Sequence, residues 1–127
     1  MSARNTYVRS MDGWWKKNPF FVRYMIREGT AVLVALYSIL LIVGLGSLAA
    51  GKDAYEGWLA ALQNPLAVIF HVVALAAALY HMITWFNVSP KATPAMFIGK
   101  DPVPDGAITG AQYAIAAVLT VLILVIA

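Results

Sequence analysis

Residues 30–50 read TAVLVALYSILLIVGLGSLAA and carry no charged side chain. They belong to a run of 23 residues, Gly29 to Gly51, that contains no Asp, Glu, Lys or Arg. About 20 apolar residues are enough for a helix to cross the hydrocarbon core of a bilayer. The run ends at Gly51, a residue type common at helix ends, which is followed by the charged pair Lys52 and Asp53. We therefore predict a first transmembrane helix over residues 30–50.

Two further uncharged runs, of 34 and 22 residues, follow along the chain. The longer run exceeds one membrane helix, and Asn64-Pro65 divides it because Asn caps helices and Pro suits their first turn. Asn87-Val88-Ser89-Pro90 then marks the end of the second span, since a residue before proline avoids helical angles. The predicted second and third spans cover residues 65–86 and 107–127, and a proline-rich, solvated loop joins them.

The composition is typical of an integral membrane protein and argues against a soluble globular domain. Of 127 residues, 61% are hydrophobic and 12% are charged, whereas soluble domains carry about 25% charged residues. Cysteine is absent, which excludes disulfides, thiolate metal sites and cysteine nucleophiles. The predicted fold is an all-α membrane protein in which residues 30–127 form an anchor domain of three transmembrane helices. Residues 1–29 form a cytoplasmic N-terminal segment that is amphipathic and interfacial.

Basic residues are concentrated before the first span. Six of the nine Lys and Arg residues lie there: Arg4, Arg9, Lys16, Lys17, Arg23 and Arg27. With the N-terminus inside, the cytoplasmic segments hold eight Lys or Arg residues and the outer loop holds only Lys52. Positive charge favours the cytoplasmic side, so we predict a cytoplasmic N-terminus and a periplasmic C-terminus. We expect these basic residues to contact membrane lipid and not nucleic acid. Aromatic residues lie between the basic ones, as in an amphipathic segment or an anchoring aromatic belt: Trp14, Trp15, Phe20, Phe21 and Tyr24.

Glu28 follows Arg27 at the depth where the first span begins. An ionisable residue at this position is costly unless it has a partner. Either both side chains reach water and pair weakly there, or Glu28 faces the helix bundle and exchanges a proton near neutral pH. The second alternative makes Glu28 a proton relay.

His81 and Trp85 share one helix face because four residues separate them. The predicted topology returns this end of the second span to the inner leaflet, at the depth of Arg27 and Glu28. A carboxylate, a guanidinium, an imidazole and an indole then converge around an apolar slot. Such a set suits a small ring with two carbonyl oxygens, exchangeable protons and an apolar tail, as in a quinone.

His71 lies about 15 Å from His81 along the same helix, too far to share one metal ion. Spans one and three contain no histidine, so haem ligation by two histidines would require a partner chain. We expect His71 to lie at a helix interface. The sequence has no spacing typical of a metal site, a catalytic triad or a phosphate-binding loop.

Seven segments form a pattern between about residues 7 and 95. They are Tyr7-Val8-Arg9, Trp14-Trp15-Lys16-Lys17, Tyr24 to Val32, Leu62 to Pro65, Ala74 to Leu79 with His81, Thr84-Trp85-Phe86 and Pro90-Lys91-Ala92. In order and spacing, this pattern closely resembles the C subunit of bacterial fumarate reductases of the four-subunit type. The third span resembles that protein mainly in hydrophobicity.

The resemblance implies a non-catalytic membrane-anchor subunit in the bacterial inner membrane. It would pair with a second anchor, the D subunit, and hold the flavoprotein (the A subunit) and the iron-sulfur protein (the B subunit) on the cytoplasmic face. Menaquinol would be oxidised in the anchor during anaerobic respiration. Its electrons would pass through the iron-sulfur clusters to FAD, where fumarate becomes succinate. The FAD and the clusters would belong to the partner subunits, and the anchor would lack haem.

The resemblance also implies roles for individual residues. Glu28 would shuttle protons at the quinone site nearest the iron-sulfur protein, and Arg27, Ala31, His81 and Trp85 would line or support that site. Three alternatives stay open: a succinate dehydrogenase anchor, a small proton-coupled exporter and a purely structural anchor. Three spans and a glutamate at the membrane edge count against an exporter.

Overall fold

The structure is a computed structural model that describes residues 8–126. Arg4, Tyr7 and Ala127, which the predictions above include, lie outside these residues. Within the described range the chain forms a short 3-10 helix (Trp14–Lys16), four α-helices and one small hairpin. The α-helices and strands are α1 (Pro19–Ala50), α2 (Lys52–Ala61), α3 (Pro65–Ala92), β1 (Phe97–Ile98), β2 (Asp101–Pro102) and α4 (Asp105–Ile126). Of the helices described, α1, α3 and α4 are long and apolar enough to cross a membrane. The predicted three-helix membrane fold is thereby confirmed.

Helix α1 begins at Pro19, well before the predicted start of the first span near Thr30. Asn18 caps it, because its side-chain oxygen accepts a hydrogen bond from the backbone N–H of Phe20 at 2.9 Å, and Pro19 occupies the first turn. With 32 residues, α1 is about 48 Å long, whereas the hydrocarbon core is about 30 Å thick. The second part of the predicted interfacial segment is therefore a helical extension of the first span.

Helix α2, which the sequence analysis did not predict, folds back against α1. The ring of Trp58 covers Gly44, which is buried. A Cβ atom at Gly44 would lie only 2.6 Å from Cζ2 of Trp58, so the contact requires glycine. Asn64 then starts α3, since its side-chain oxygen accepts a hydrogen bond from the backbone N–H of Ala67 at 3.0 Å.

Helix α3 continues to Ala92, past the predicted end at Phe86, and includes Pro90. Proline has no backbone N–H, so the Phe86 carbonyl lacks its usual helical donor. The Thr109 hydroxyl of α4 donates to this carbonyl instead, at 3.2 Å. The side chains of Ser89 and Gln112 also bond across the same interface, with Gln112 Nε2 donating to Ser89 Oγ at 2.7 Å. These polar contacts join α3 to α4 beside Pro90 of α3.

The proline-rich loop before α4, predicted to be solvated, contains the antiparallel pair β1 and β2. Gly99 makes this turn with a φ of 67°, a conformation that glycine adopts without a steric cost. Every residue of both strands is exposed. Helix α4 begins at Asp105, close to the predicted start of the third span.

The interior of the described chain is small. Its buried hydrophobic residues are Ala74 and Ala77 of α3, which are 4% and 7% exposed. Large apolar side chains elsewhere remain exposed, with Leu124 of α4 at 73%. Apolar surface of this extent on membrane-spanning helices contacts lipid or other subunits.

Candidate functional site

The predicted site residues lie on α1 and α3. Thr30 contacts His81, and further along α1 the ring of Tyr37 contacts that of His71. The two helices are therefore antiparallel, and the last turns of α3 lie beside the part of α1 that precedes its uncharged run.

His81 is held by two groups on α1. Its Nδ1 atom lies 3.1 Å from the hydroxyl oxygen of Thr30 and 3.3 Å from the backbone carbonyl oxygen of Arg27. The Thr30 hydroxyl also donates a hydrogen bond to the Arg27 carbonyl, at 2.5 Å. One edge of the His81 ring is thus fixed against the backbone of α1.

The guanidinium group of Arg27 lies between two aromatic rings. Its Cζ atom is 5.1 Å from the ring centroid of Tyr24, one turn earlier on α1, and 5.0 Å from that of Trp85 on α3. The side chain is only 13% exposed, so these cation–π contacts form away from bulk water, where they are strongest. Trp85 also lies beside His81, with 6.2 Å between the ring centroids.

Glu28 contacts Arg27, with Glu28 Oε1 3.4 Å from Arg27 Nε. Its side chain is 39% exposed, three times the value for Arg27. Within residues 8–126 no hydrogen bond joins Glu28 to His81. Glu28 therefore occupies the open side of the cluster, with Arg27 between it and the α3 residues.

The structure brings four of the five predicted residues into one cluster of contacts: Arg27, Glu28, His81 and Trp85. The fifth, Ala31, is half-buried on α1, one turn after Arg27 and therefore on the same helix face. It has no polar side-chain atom, so its contribution is limited to shape. We name these five residues together with Thr30 the α1–α3 cluster.

Sequence reasoning missed the part that Thr30 plays in the cluster. It treated Thr30 as the first residue of the first span, whereas the hydroxyl bonds to a residue 51 positions away. The available signal was helical spacing, since Thr30 follows Arg27 by three residues and shares its face. That spacing does not identify His81, because the register of α1 against α3 is set by packing along both helices.

His71 lies apart from the α1–α3 cluster, in a groove between α1 and α3. Its Nδ1 atom bonds to the Ala67 carbonyl at 2.7 Å, and its ring meets that of Tyr37 edge-on at 5.5 Å. The groove has a volume of about 320 Å³ and small residues such as Ser38 and Ala78 in its lining. His71 is thus a histidine at a helix interface, satisfied by its own helix. No metal-binding group of three acidic or histidine side chains occurs within residues 8–126.

The chemistry available at the α1–α3 cluster follows from its donors and acceptors. Arg27 offers a fixed positive charge with N–H donors, Glu28 offers an acceptor, and His81 can do either depending on its protonation. The surrounding helix faces are apolar. The cluster therefore combines a cation, an acceptor and an imidazole beside apolar helix faces.

A family model for the C subunit of fumarate reductase matches residues 2–127 of the chain. The fumarate reductase C subunit of Klebsiella pneumoniae is 46% identical over 127 residues, which cover 99% of this chain and 96% of that protein. The C subunit of Citrobacter koseri gives the same identity and coverage. That of Vibrio campbellii is 39% identical, with 99% of both chains covered.

Proposed function

Because the chain belongs to the family of fumarate reductase C subunits, we propose that it anchors the reductase complex in the bacterial inner membrane and contributes a menaquinol site. It is a membrane subunit of the complex rather than the catalytic one. The α1–α3 cluster is the observation that carries the quinol role. In that cluster a cation, a carboxylate and an imidazole meet beside apolar helix faces.

The proposed partners are the flavoprotein, or A subunit, which carries FAD, the iron-sulfur protein, or B subunit, and the second anchor, or D subunit. Two features of the chain support them. The exposed apolar surfaces of α1, α3 and α4 exceed what three helices can cover by themselves. The residues before α1 carry basic and aromatic side chains, and Trp14 packs against Phe21 of α1 with 5.3 Å between ring centroids.

The proposed orientation places the N-terminus in the cytoplasm and the C-terminus in the periplasm, following the distribution of basic residues. The α1–α3 cluster then lies near the cytoplasmic surface, where the flavoprotein and the iron-sulfur protein bind. A quinol oxidised there has a short route for its electrons to the iron-sulfur clusters. Glu28, on the open side of the cluster, takes up the released proton.

The first experiment is purification of the tagged chain from mild detergent, with identification of the subunits that copurify and an absorbance spectrum from 400 to 700 nm. We expect the flavoprotein, the iron-sulfur protein and a second anchor, with no reduced-haem band. A chain that purifies only with itself contradicts the anchor function and favours an exporter. A haem band contradicts an anchor without haem and favours the dehydrogenase-like alternative.

The quinol role is tested in the purified complex with the Glu28→Gln variant. We expect a loss of about a hundredfold in menaquinol-linked fumarate reduction, the usual scale for a proton-transfer group. Fumarate reduction with a viologen dye should be unchanged, because the dye delivers electrons without the quinol site. Glu56→Gln is the matched control, since Glu56 lies on α2 and pairs with Lys52 at 3.6 Å. Unchanged quinol activity of Glu28→Gln refutes the proton relay.

A further inference from the structure

Three polar atoms meet at one point of the α1–α3 cluster. The Thr30 hydroxyl oxygen lies 2.5 Å from the Arg27 carbonyl oxygen and 3.1 Å from His81 Nδ1. The distance between His81 Nδ1 and the Arg27 carbonyl oxygen is 3.3 Å. The three distances decide which order of the hydrogens satisfies this triangle best. That order decides which nitrogen of His81 is free.

The Arg27 carbonyl can only accept hydrogen bonds, and the Thr30 hydroxyl has a single hydrogen to donate. Thr30 Oγ1 gives that hydrogen to the Arg27 carbonyl, its closest partner at 2.5 Å. If Nδ1 of His81 carried no hydrogen, its lone pair would face two oxygen atoms. The arrangement that avoids this repulsion has the proton on Nδ1, which donates it to these oxygens. A neutral imidazole has one N–H, so Nε2 is then an acceptor.

The Nε2 atom of His81 has no hydrogen bond to any of the described residues. Within the same range, Trp58 Nε1 is the one fully buried side-chain polar atom without a partner. Nε2 is therefore not fully buried. The two nitrogens of an imidazole point in nearly opposite directions, so Nε2 faces away from the α1 backbone.

We propose that Thr30 is a positioning residue that, with the Arg27 carbonyl, fixes neutral His81 as the Nδ1–H tautomer and presents Nε2 as the acceptor for a quinol hydroxyl group. This inference rests on the proposed quinol site and adds the residue that orients His81 within it. A quinol hydroxyl can donate a hydrogen bond to Nε2, whereas a quinone carbonyl cannot. Thr30 therefore favours binding of quinol over quinone when His81 is neutral.

The test uses the assembled complex with Thr30→Val, which keeps the shape of the side chain and removes the hydroxyl. Without Oγ1, only the Arg27 carbonyl, 3.3 Å from Nδ1, opposes the Nε2–H tautomer. That tautomer becomes more populated and cannot accept a hydrogen bond from a quinol hydroxyl group. We expect the KM for menaquinol to rise about tenfold, the scale of one lost hydrogen bond, while inhibition by menaquinone changes little.

Two variants complete the design. Thr30→Ser keeps the hydroxyl and should restore the wild-type KM. Thr120→Val is the matched control, because the Thr120 hydroxyl bonds only to the Ala116 carbonyl of its own helix. Fumarate reduction with a viologen dye in the membrane fraction reports assembly of each variant. If Thr30→Val does not assemble, Thr30→Ala is measured in the same way.

Several outcomes overturn the inference. An unchanged KM for menaquinol in the assembled valine or alanine variant is one, and an equal defect in Thr30→Ser is another. Equal weakening of quinol and quinone binding assigns Thr30 a space-filling role instead. Failure of the proposed function gives a different result, because the wild-type complex itself then fails to oxidise menaquinol.

Discussion

The guanidinium of Arg27 faces the ring of Trp85 across α1 and α3, with 5.0 Å between Cζ and the ring centroid. This contact uses the face of the indole, whereas the sequence predicted only that the indole lies beside an apolar slot for a ligand. A cation held over an aromatic face away from water contributes about 0.5 to 2 kcal/mol. Trp85 therefore positions the charge of Arg27 at the site.

Substitutions of Trp85 distinguish the role of its ring face from the role of its indole N–H. Trp85→Phe retains an aromatic face and should keep most of the menaquinol-linked activity, although phenyl is a weaker partner than indole. Trp85→Leu removes the face and should lower that activity several-fold, while viologen-linked fumarate reduction stays unchanged. A Phe variant as impaired as the Leu variant would instead assign the role to the N–H.

The contact between Gly44 and Trp58 gives a prediction for stability. Gly44→Ala places a methyl group 2.6 Å from the Trp58 ring, and overpacking of this kind costs about 1 to 3 kcal/mol. Gly46→Ala is the control on the same helix, because nothing lies within 4 Å of its added Cβ. We expect thermal unfolding of the detergent-solubilised complex at a lower temperature for Gly44→Ala only. Equal Tm values for the two variants would mean that α2 moves away at no cost.

The Phe86 carbonyl gives a prediction for the α3–α4 interface. Thr109→Val removes the hydroxyl that donates to this carbonyl at 3.2 Å, leaving only the longer Ser89 hydroxyl contact at 3.4 Å. Hydrogen bonds between membrane helices contribute about 0.6 to 2 kcal/mol. We expect a lower Tm for Thr109→Val and an unchanged one for Thr120→Val, whose hydroxyl bonds within its own helix. No difference between them would show that the carbonyl is satisfied without Thr109.

The membrane fold could be predicted from the sequence because each span is an uncharged run bounded by polar residues. Asn64-Pro65 was interpreted as a helix start, and the structure has that cap. Asn18-Pro19 carries the same signal and starts α1, but the surrounding charges favoured an interfacial segment outside the span. Pro90 was interpreted as a helix end, but α3 continues past it. The carbonyl that Pro90 leaves without a helical donor accepts a hydrogen bond from a hydroxyl of α4, and a local sequence pattern does not show that contact.

The candidate site was predictable as a set of residue types but not as a set of contacts. Helical spacing places His81 and Trp85 on one face, and the topology brings them to the level of Arg27. The atoms of α1 that His81 contacts change if α1 and α3 are shifted or rotated against each other by a fraction of a helical turn. Long-range packing sets that register, and a local pattern cannot contain it.

The residues before α1 give a prediction for the attachment of the soluble subunits. Deletion of residues 1–17 leaves the Asn18 cap and α1 in place, while it removes basic and aromatic side chains such as Trp15 and Lys16, which stack at 5.1 Å. We expect viologen-linked fumarate reduction to move from the membrane fraction to the supernatant, because the flavoprotein and the iron-sulfur protein lose their contact with the anchor. The combined Lys91→Gln and Lys100→Gln variant removes charge from the loop on the same proposed side and should keep the activity in the membrane. Retention of the activity in the membrane after the deletion would place the attachment of the soluble subunits elsewhere on the anchor.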